Sequence, residues 1–200
     1  MKILITGSSG FIGFHLSKKL LDKGHNVYGY DSMNNYYDIS LKKARYSILK
    51  KYKNFSFTKN KLENKSSLEK VFKKFKPSIV IHLAAQAGVR YSIEKPRVYL
   101  DSNIIGSYNI IEVSKKFNVK HLIMASSSSV YGANKKIPFK ETDKTETQLS
   151  IYAATKKSNE SMAHSYSNIW KIPITMLRFF TVYGPWGRPD MALFKFSKGI

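Results

Sequence analysis

Cysteine is absent from these 200 residues, which excludes disulfides and thiol chemistry and fits a reducing compartment. Histidine is sparse, with five in the chain, and never falls at metal-ligand spacing, so no metal site is expected. Acidic residues number 13 against 34 Lys and Arg, leaving a formal charge of +21. Arginine itself is scarce, although bidentate reading of bases usually relies on it. No apolar run approaches the roughly 20 residues that cross a bilayer. The opening MKILITGSSGFIG runs straight into a Gly-rich turn and lacks the long apolar core and cleavage site of a signal peptide. These absences point to a cytoplasmic protein with no membrane partner.

What remains is a globular composition, 42% apolar and 14% aromatic. The positive charge is mostly Lys scattered over helix faces, at Lys18, Lys19, Lys42, Lys43, Lys50, Lys51, Lys73 and Lys74. That distribution reads as a solvated Lys surface, and no nucleic-acid partner is expected. A nucleic-acid binder is the alternative, with salt-dependent association with random duplex as its signature. A positive field would also gather an anionic substrate.

Short apolar runs alternate with helical patterns, which implies βαβ units and a parallel sheet. Strands are expected at Lys2–Thr6, Asn26–Tyr30, Phe55–Thr58, Ser78–His82, His121–Ser126 and Pro173–Phe179. Helices are expected at Phe11–Lys23, Leu41–Lys53, Ser67–Phe75, Pro96–Asn118 and Leu149–Trp170. The second is read as a surface helix. The long fourth one is given a buried face of Ile104, Tyr108, Ile111 and Val113. A further amphipathic start is expected over Met191–Ile200, after which the chain stops without a closing element, as a truncated chain or fragment would.

Four clusters carry chemistry. Gly7-Ser8-Ser9-Gly10-Phe11-Ile12-Gly13 joins the first strand to the first helix. Glycines there permit a tight turn and close approach of a pyrophosphate to a helix N-terminus. The spacing is GxxGxxG rather than GxGxxG. Asp31 ends the second strand, where a carboxylate accepts hydrogen bonds from adenosine ribose hydroxyls and repels a 2′-phosphate, favouring NAD. Tyr152 and Lys156 stand at i and i+4 on one helix face, where an ammonium would favour the phenolate and make Tyr152 a general acid/base. Ser126, Ser127, Ser128 and Ser129 lie at the end of the fifth strand, on the side where open α/β sheets bind ligands. His82 is read as packing at the end of its strand, Trp186 as a loop anchor, and Met124 and Met162 as core filler.

Together these motifs resemble the extended short-chain dehydrogenase/reductase family, the NAD-dependent epimerases and dehydratases, over nearly the whole chain. Three stretches carry the likeness further: His82–Ser92 (HLAAQAGVRYS), Asn103 in DSNIIGSYNIIE, and Arg178–Phe196 (RFFTVYGPWGRPDMALFKF). All three resemble its UDP-glucuronate 4-epimerase branch. The resemblance implies a Rossmann-type doubly wound α/β sheet over residues 1–180, with 181–200 opening a substrate-binding region that is largely missing. It implies NAD as cofactor and a UDP-sugar acid as substrate, turned over through a transient 4-keto sugar, with a homodimer as the assembly. Ser127, Tyr152 and Lys156 would be catalytic. Gly7, Gly10, Phe11, Ile12, Gly13, Asp31, Leu62, Ala84, Tyr152 and Lys156 would contact the cofactor. Ser128, Ser129, Thr181 and Arg188 would contact the substrate.

Dehydratases and decarboxylases of this family place an acidic residue before Val-Tyr-Gly, where this chain has Ser128 and Ser129. Simple epimerisation is therefore the leading reading, with related UDP-sugar 4-epimerases, decarboxylases and dehydratases as alternatives. An NAD-binding fragment without activity of its own is the third. The family usually has an Asp before its Ile/Leu at the position of Lys61-Leu62, so the usual adenine contact is replaced.

Overall fold

The computed structural model describes residues 1–191, 194, 196, 197 and 199. The expected helix over Met191–Ile200 therefore lies partly outside the described residues. Six strands, β1 (Lys2–Thr6), β2 (Asn26–Asp31), β3 (Phe55–Lys59), β4 (Ile79–His82), β5 (His121–Ser127) and β6 (Ile174–Phe179), form one sheet in the order 3-2-1-4-5-6. Every pairing is parallel. The order reverses between β1 and β4, and a ligand crevice opens there at the carboxyl ends of the strands.

β1 is apolar without alternation because both of its faces are covered. Leu4 packs into a layer with Leu68, Phe72, Val80, Ile110, Ile111 and Leu122. Ile3 and Ile5 face the opposite layer, with Phe14, Leu21, Val27 and Leu49. Each such side chain contributes about 1.5–3 kcal/mol on leaving water.

Helices α1 (Phe11–Asp22), α2 (Ile39–Leu49) and α3 (Lys65–Phe75) follow the first three strands. α2 departs from its reading as a surface helix. Lys42, Arg45 and Leu49 share one stripe at helical spacing and all three are buried, so Lys42 leaves the solvated Lys set.

After β4 come two single turns, α4 (Tyr91–Glu94) and α5 (Pro96–Tyr99). A π-helical stretch, Leu100–Ile105, leads from them into α6 (Gly106–Lys116). The wider π turn changes which face points inward. Asn103, Gly106, Ser107 and Asn109 turn into the protein, Ile104 is half-buried, and Tyr108 faces solvent, against expectation; Ile111 and Val113 are buried as expected. α7 (Ile151–Trp170) begins two residues later than its apolar pattern. Ser150 is extended, and its side chain accepts from the Ala153 N–H at 3.1 Å as the cap.

Candidate active site at the strand ends

The turn after β1 is built from backbone. Gly7 has φ +73° and donates its N–H to the Tyr30 carbonyl at 2.8 Å. Its carbonyl accepts from the Gly10 N–H at 2.9 Å. A Cβ on Gly7 would lie 2.8 Å from Ala84 N, and one on Gly13 would lie 2.0 Å from the Gly7 carbonyl oxygen. The turn is thus pressed between the end of β4 and the first turn of α1. Gly10 caps α1 without a side chain, and no acidic residue stands in the first turn. The Phe11 and Ile12 N–H groups at this positive helix end are left for an anion. The cradle accordingly fits the pyrophosphate of a dinucleotide.

Asp31 is buried beside this turn. One carboxylate oxygen accepts from Ser9 N at 3.0 Å and the other from Met33 N at 2.8 Å. These bonds aim the group and leave lone pairs for ribose hydroxyls. Leu62 is buried under Gly106, and its carbonyl accepts from Asn109 Nδ2 at 3.0 Å. Ala84 sits at the end of β4 with its N–H donated to Thr6 Oγ1 at 3.2 Å.

The second cluster lies where β5 meets α7. Ser127 Oγ accepts from Ser129 N at 3.2 Å and lies 3.2 Å from Ser129 Oγ, at the start of a single 3₁₀ turn, Ser128–Tyr131. Ser127 ends β5, against which the start of α7 carries Tyr152. Burial pushes the Tyr152 phenol above its ordinary value, while Ser127 and the charge of Arg188 pull it down. Lys156 is not what lowers it. The buried Lys156 ammonium donates to the Ala125 carbonyl at 2.7 Å, and burial lowers its pKa to about 8. The Lys156 ammonium, which the i,i+4 spacing sets on the same helix face as the phenol, is anchored on β5 by this bond.

Thr181 and Arg188 come together on one cavity of about 180 Å³, along with Tyr183 and Gly187. Arg188 is bonded to Asp190 through Nε at 3.1 Å and Nη2 at 2.5 Å, and lies against the Tyr36 ring. A larger depression of about 350 Å³ lies over Ala133–Thr147, and no candidate residue lines it.

Three features lie outside the four chemical clusters. The first is a buried polar network: Ala84 N–H donates to Thr6 Oγ1, which lies 2.7 Å from His82 Nδ1. His82 Nε2 lies 3.0 Å from Ser107 Oγ, which also accepts from Asn159 Nδ2. Thr6 donating and Nε2–H donating satisfies this chain with a neutral ring, and burial lowers the His82 pKa to about 3. The second is Asn103, held inward by the π turn. It accepts from Gln86 N at 2.7 Å and donates to Gln86 O and Thr155 Oγ1, tying the loop after β4 to the helix that carries Tyr152. The third is Arg45, which is wholly buried. Its signal was the i, i+3, i+7 stripe of α2, obscured because two of its three members are cationic.

Against this geometry, a profile of the NAD dependent epimerase/dehydratase family matches residues 3–200. Protein CapI of Staphylococcus aureus is 62% identical over 200 residues, covering 100% of this chain and 60% of that protein. A probable UDP-glucuronate 4-epimerase of Rhizobium meliloti (strain 1021) is 54% identical, covering 100% and 59%. The crystal structure of UDP-glucuronic acid 4-epimerase from Bacillus cereus, in complex with UDP-glucuronic acid and NAD, superposes with a TM-score of 0.91 at 37% identity. It covers 97% of this chain and 61% of that one. The chain thus spans about 60% of the length of the relatives it matches. On the profile match and these likenesses, the chain belongs to the NAD dependent epimerase/dehydratase family.

Proposed function

We propose that the protein binds NAD and epimerises C4 of a UDP-sugar acid, converting UDP-glucuronate to UDP-galacturonate. The observation that carries this is the placement of Ser127 at the carboxyl end of β5 beside the first turn of α7, which bears Tyr152, with Lys156 buried one turn further along. Likeness to relatives described as UDP-glucuronate 4-epimerases supports the choice of substrate. NAD in the cradle supplies reversible acceptance of hydride from the sugar carbon.

Tyr152 takes the proton from the 4-hydroxyl and returns it after the keto sugar has turned over. Ser127 shares that proton through its own hydroxyl. Lys156, which donates in this structure to Ala125 O, is the cation available to the nicotinamide ribose and to the phenolate. The Phe11 and Ile12 N–H groups hold the pyrophosphate, Asp31 the adenosine ribose, and Leu62 and Ala84 line the rest of the cofactor path. Ser128, Ser129 and Thr181 recognise the substrate carboxylate and Arg188 is a further substrate-side residue, with residues 1–180 acting as the nucleotide domain and 181–200 as the start of the substrate region. No carboxylate stands at Ser128 or Ser129 to drive elimination, which favours epimerisation over dehydration.

The setting is cytoplasmic; among the described residues no helix is long and apolar enough to cross a membrane. The assembly is a homodimer. Exposed Val98, Ile105, Tyr108 and Ile169 on the two long helical segments supply apolar surface for it.

Incubation with UDP-glucuronate and NAD, followed by chromatography, tests this reading. UDP-galacturonate from the wild type and none from Tyr152→Phe is the expected result. NAD binding without product would reduce the function to cofactor binding. Absence of both would overturn the proposal.

A further inference from the structure

Arg45 is the largest fully buried side chain among the described residues, and it is charged. Its acceptors are far apart in sequence. Nη1 donates to Ser9 O at 3.1 Å and to the Tyr37 hydroxyl at 2.7 Å. Nη2 donates to Trp186 O at 2.5 Å and Gly187 O at 3.3 Å. None of these acceptors is a carboxylate, so the burial of this charge is not balanced by an ion pair. If filling space were its only task, an apolar side chain of similar volume would serve more cheaply. A guanidinium does something else here: its planar fork reaches two backbone segments at once.

One of those segments is the glycine-rich turn, through Ser9 O. The other is the segment that delivers Arg188. That second segment is seated on α1 by two more contacts. His15 Nε2 lies 2.8 Å from Pro185 O, and the Trp186 ring packs on Phe14 at 5.7 Å between centroids. Trp186 holds φ +61°, a left-handed conformation that a Trp keeps only when its surroundings dictate it.

We propose that Arg45 is a positioning residue that locks residues 184–188 onto the glycine-rich turn, so that the dinucleotide cradle and Arg188 are ordered as one unit. This rests on reading the turn as the NAD cradle, and it adds a coupling that the cradle alone does not require. Nucleotide binding that orders the turn then orders the segment on the sugar side, and loss of the fork uncouples them.

Hydrogen exchange by mass spectrometry, with NAD affinity from calorimetry, tests it on the full chain. In the wild type, saturating NAD should slow exchange both in 7–13 and in 184–188. In Arg45→Met it should slow only 7–13, with NAD bound at least about tenfold more weakly and exchange in β5 and α7 unchanged. Arg45→Lys, which keeps the charge but loses the fork, should fall between the two. Tyr37→Phe, a milder change at the same site, should weaken the coupling in the same direction and serves if Arg45→Met does not fold.

Equal NAD protection of 184–188 in wild type and all variants would overturn the proposal. So would faster exchange spread evenly over the sheet, which marks a residue that only stabilises the fold. If the wild type binds no NAD, the cradle reading fails first, and exchange without nucleotide decides on Arg45 by itself. Loosening of both segments together in the variants sustains the lock, and loosening of one alone ends it.

Discussion

The two halves of the crevice make their chemistry from different materials. Between β1 and α1 the working groups are backbone N–H donors, and glycine is required because a Cβ would collide with main-chain atoms. Between β5 and α7 the working groups are side chains, and burial sets their protonation: it raises the Tyr152 phenol and lowers the Lys156 ammonium. The first half depends on shape and tolerates pH. The second depends on desolvation and should respond to pH and to single-atom changes. Mutations that keep shape should therefore separate the two halves.

The largest expected effect falls on the side-chain half. Tyr152→Phe removes one oxygen and leaves the helix intact. Turnover of UDP-glucuronate should fall by about 10³-fold, with NAD affinity within about twofold of wild type, because the cradle lies across the crevice. A matching loss of NAD affinity, read by calorimetry, would show that the two halves are not separable.

Gly13→Ala tests the backbone half. The added Cβ would sit 2.0 Å from the Gly7 carbonyl oxygen, which is main chain and cannot rotate away. α1 must shift, so NAD binding should be lost and stability should drop by about 2–4 kcal/mol. Gly24→Ala is the control: nothing lies within 4 Å of its Cβ, and only φ +77° is strained. It should cost about 1 kcal/mol and spare NAD. Equal effects at the two glycines would mean that strain, rather than collision, governs the turn.

The same contrast explains what the sequence revealed. Strand positions, the cradle and the register of the crevice follow from local periodicity and glycine spacing, and β1 through β6 appear within a residue or two of expectation. Buried polar groups did not announce themselves. Lys42 reads as a solvent-facing cation, and Arg45 beside it carries no signal of its own, because residue type is a poor guide when the acceptors are carbonyls and side chains of other loops. The π turn at Leu100–Ile105 is invisible to a 3.6-residue pattern, which turns Tyr108 inward and gives Asn103 no partner. Tyr152 and Lys156 were legible as a pair, but not the Ala125 carbonyl that anchors the Lys on β5, since that bond spans 31 residues.

Lys156 supplies the pH signature. Its folded pKa of about 8 lies below its ordinary 10.5 because burial disfavours the charged form. Below pH 8 both states carry the proton, and the folded state bears the full penalty, about 3 kcal/mol. Between pH 8 and 10.5 the unfolded chain binds more protons, so this contribution makes stability rise with pH until the penalty is gone. Lys156→Met removes the group. Its stability advantage over wild type in urea titrations should be largest near pH 7.5 and shrink toward pH 10. An advantage independent of pH would mean that the Lys is not held charged against burial.

The smallest expected effect comes from the joint that holds β5, β6 and α7 together. Glu160 accepts from Arg178 Nε at 2.9 Å and Nη2 at 3.0 Å, and from Ser126 Oγ at 2.6 Å, one residue before Ser127. Burial alone would raise the Glu160 carboxyl, but the bonds from Arg178 and Ser126 outweigh it and hold the group below its ordinary value. A lowered carboxyl stabilises the fold above its unfolded pKa and loses that contribution as the pH falls through the folded one. Glu160→Gln keeps the shape and one acceptor oxygen while losing the charge, so it should cost about 1–2 kcal/mol at pH 7. The gap to wild type should close as the pH falls through the native carboxyl's lowered range and that group takes up its proton. NAD affinity should not change, since this joint belongs wholly to the side-chain half. A gap that persists in acid would assign the joint to shape and would weaken the division between a backbone half and an electrostatic half.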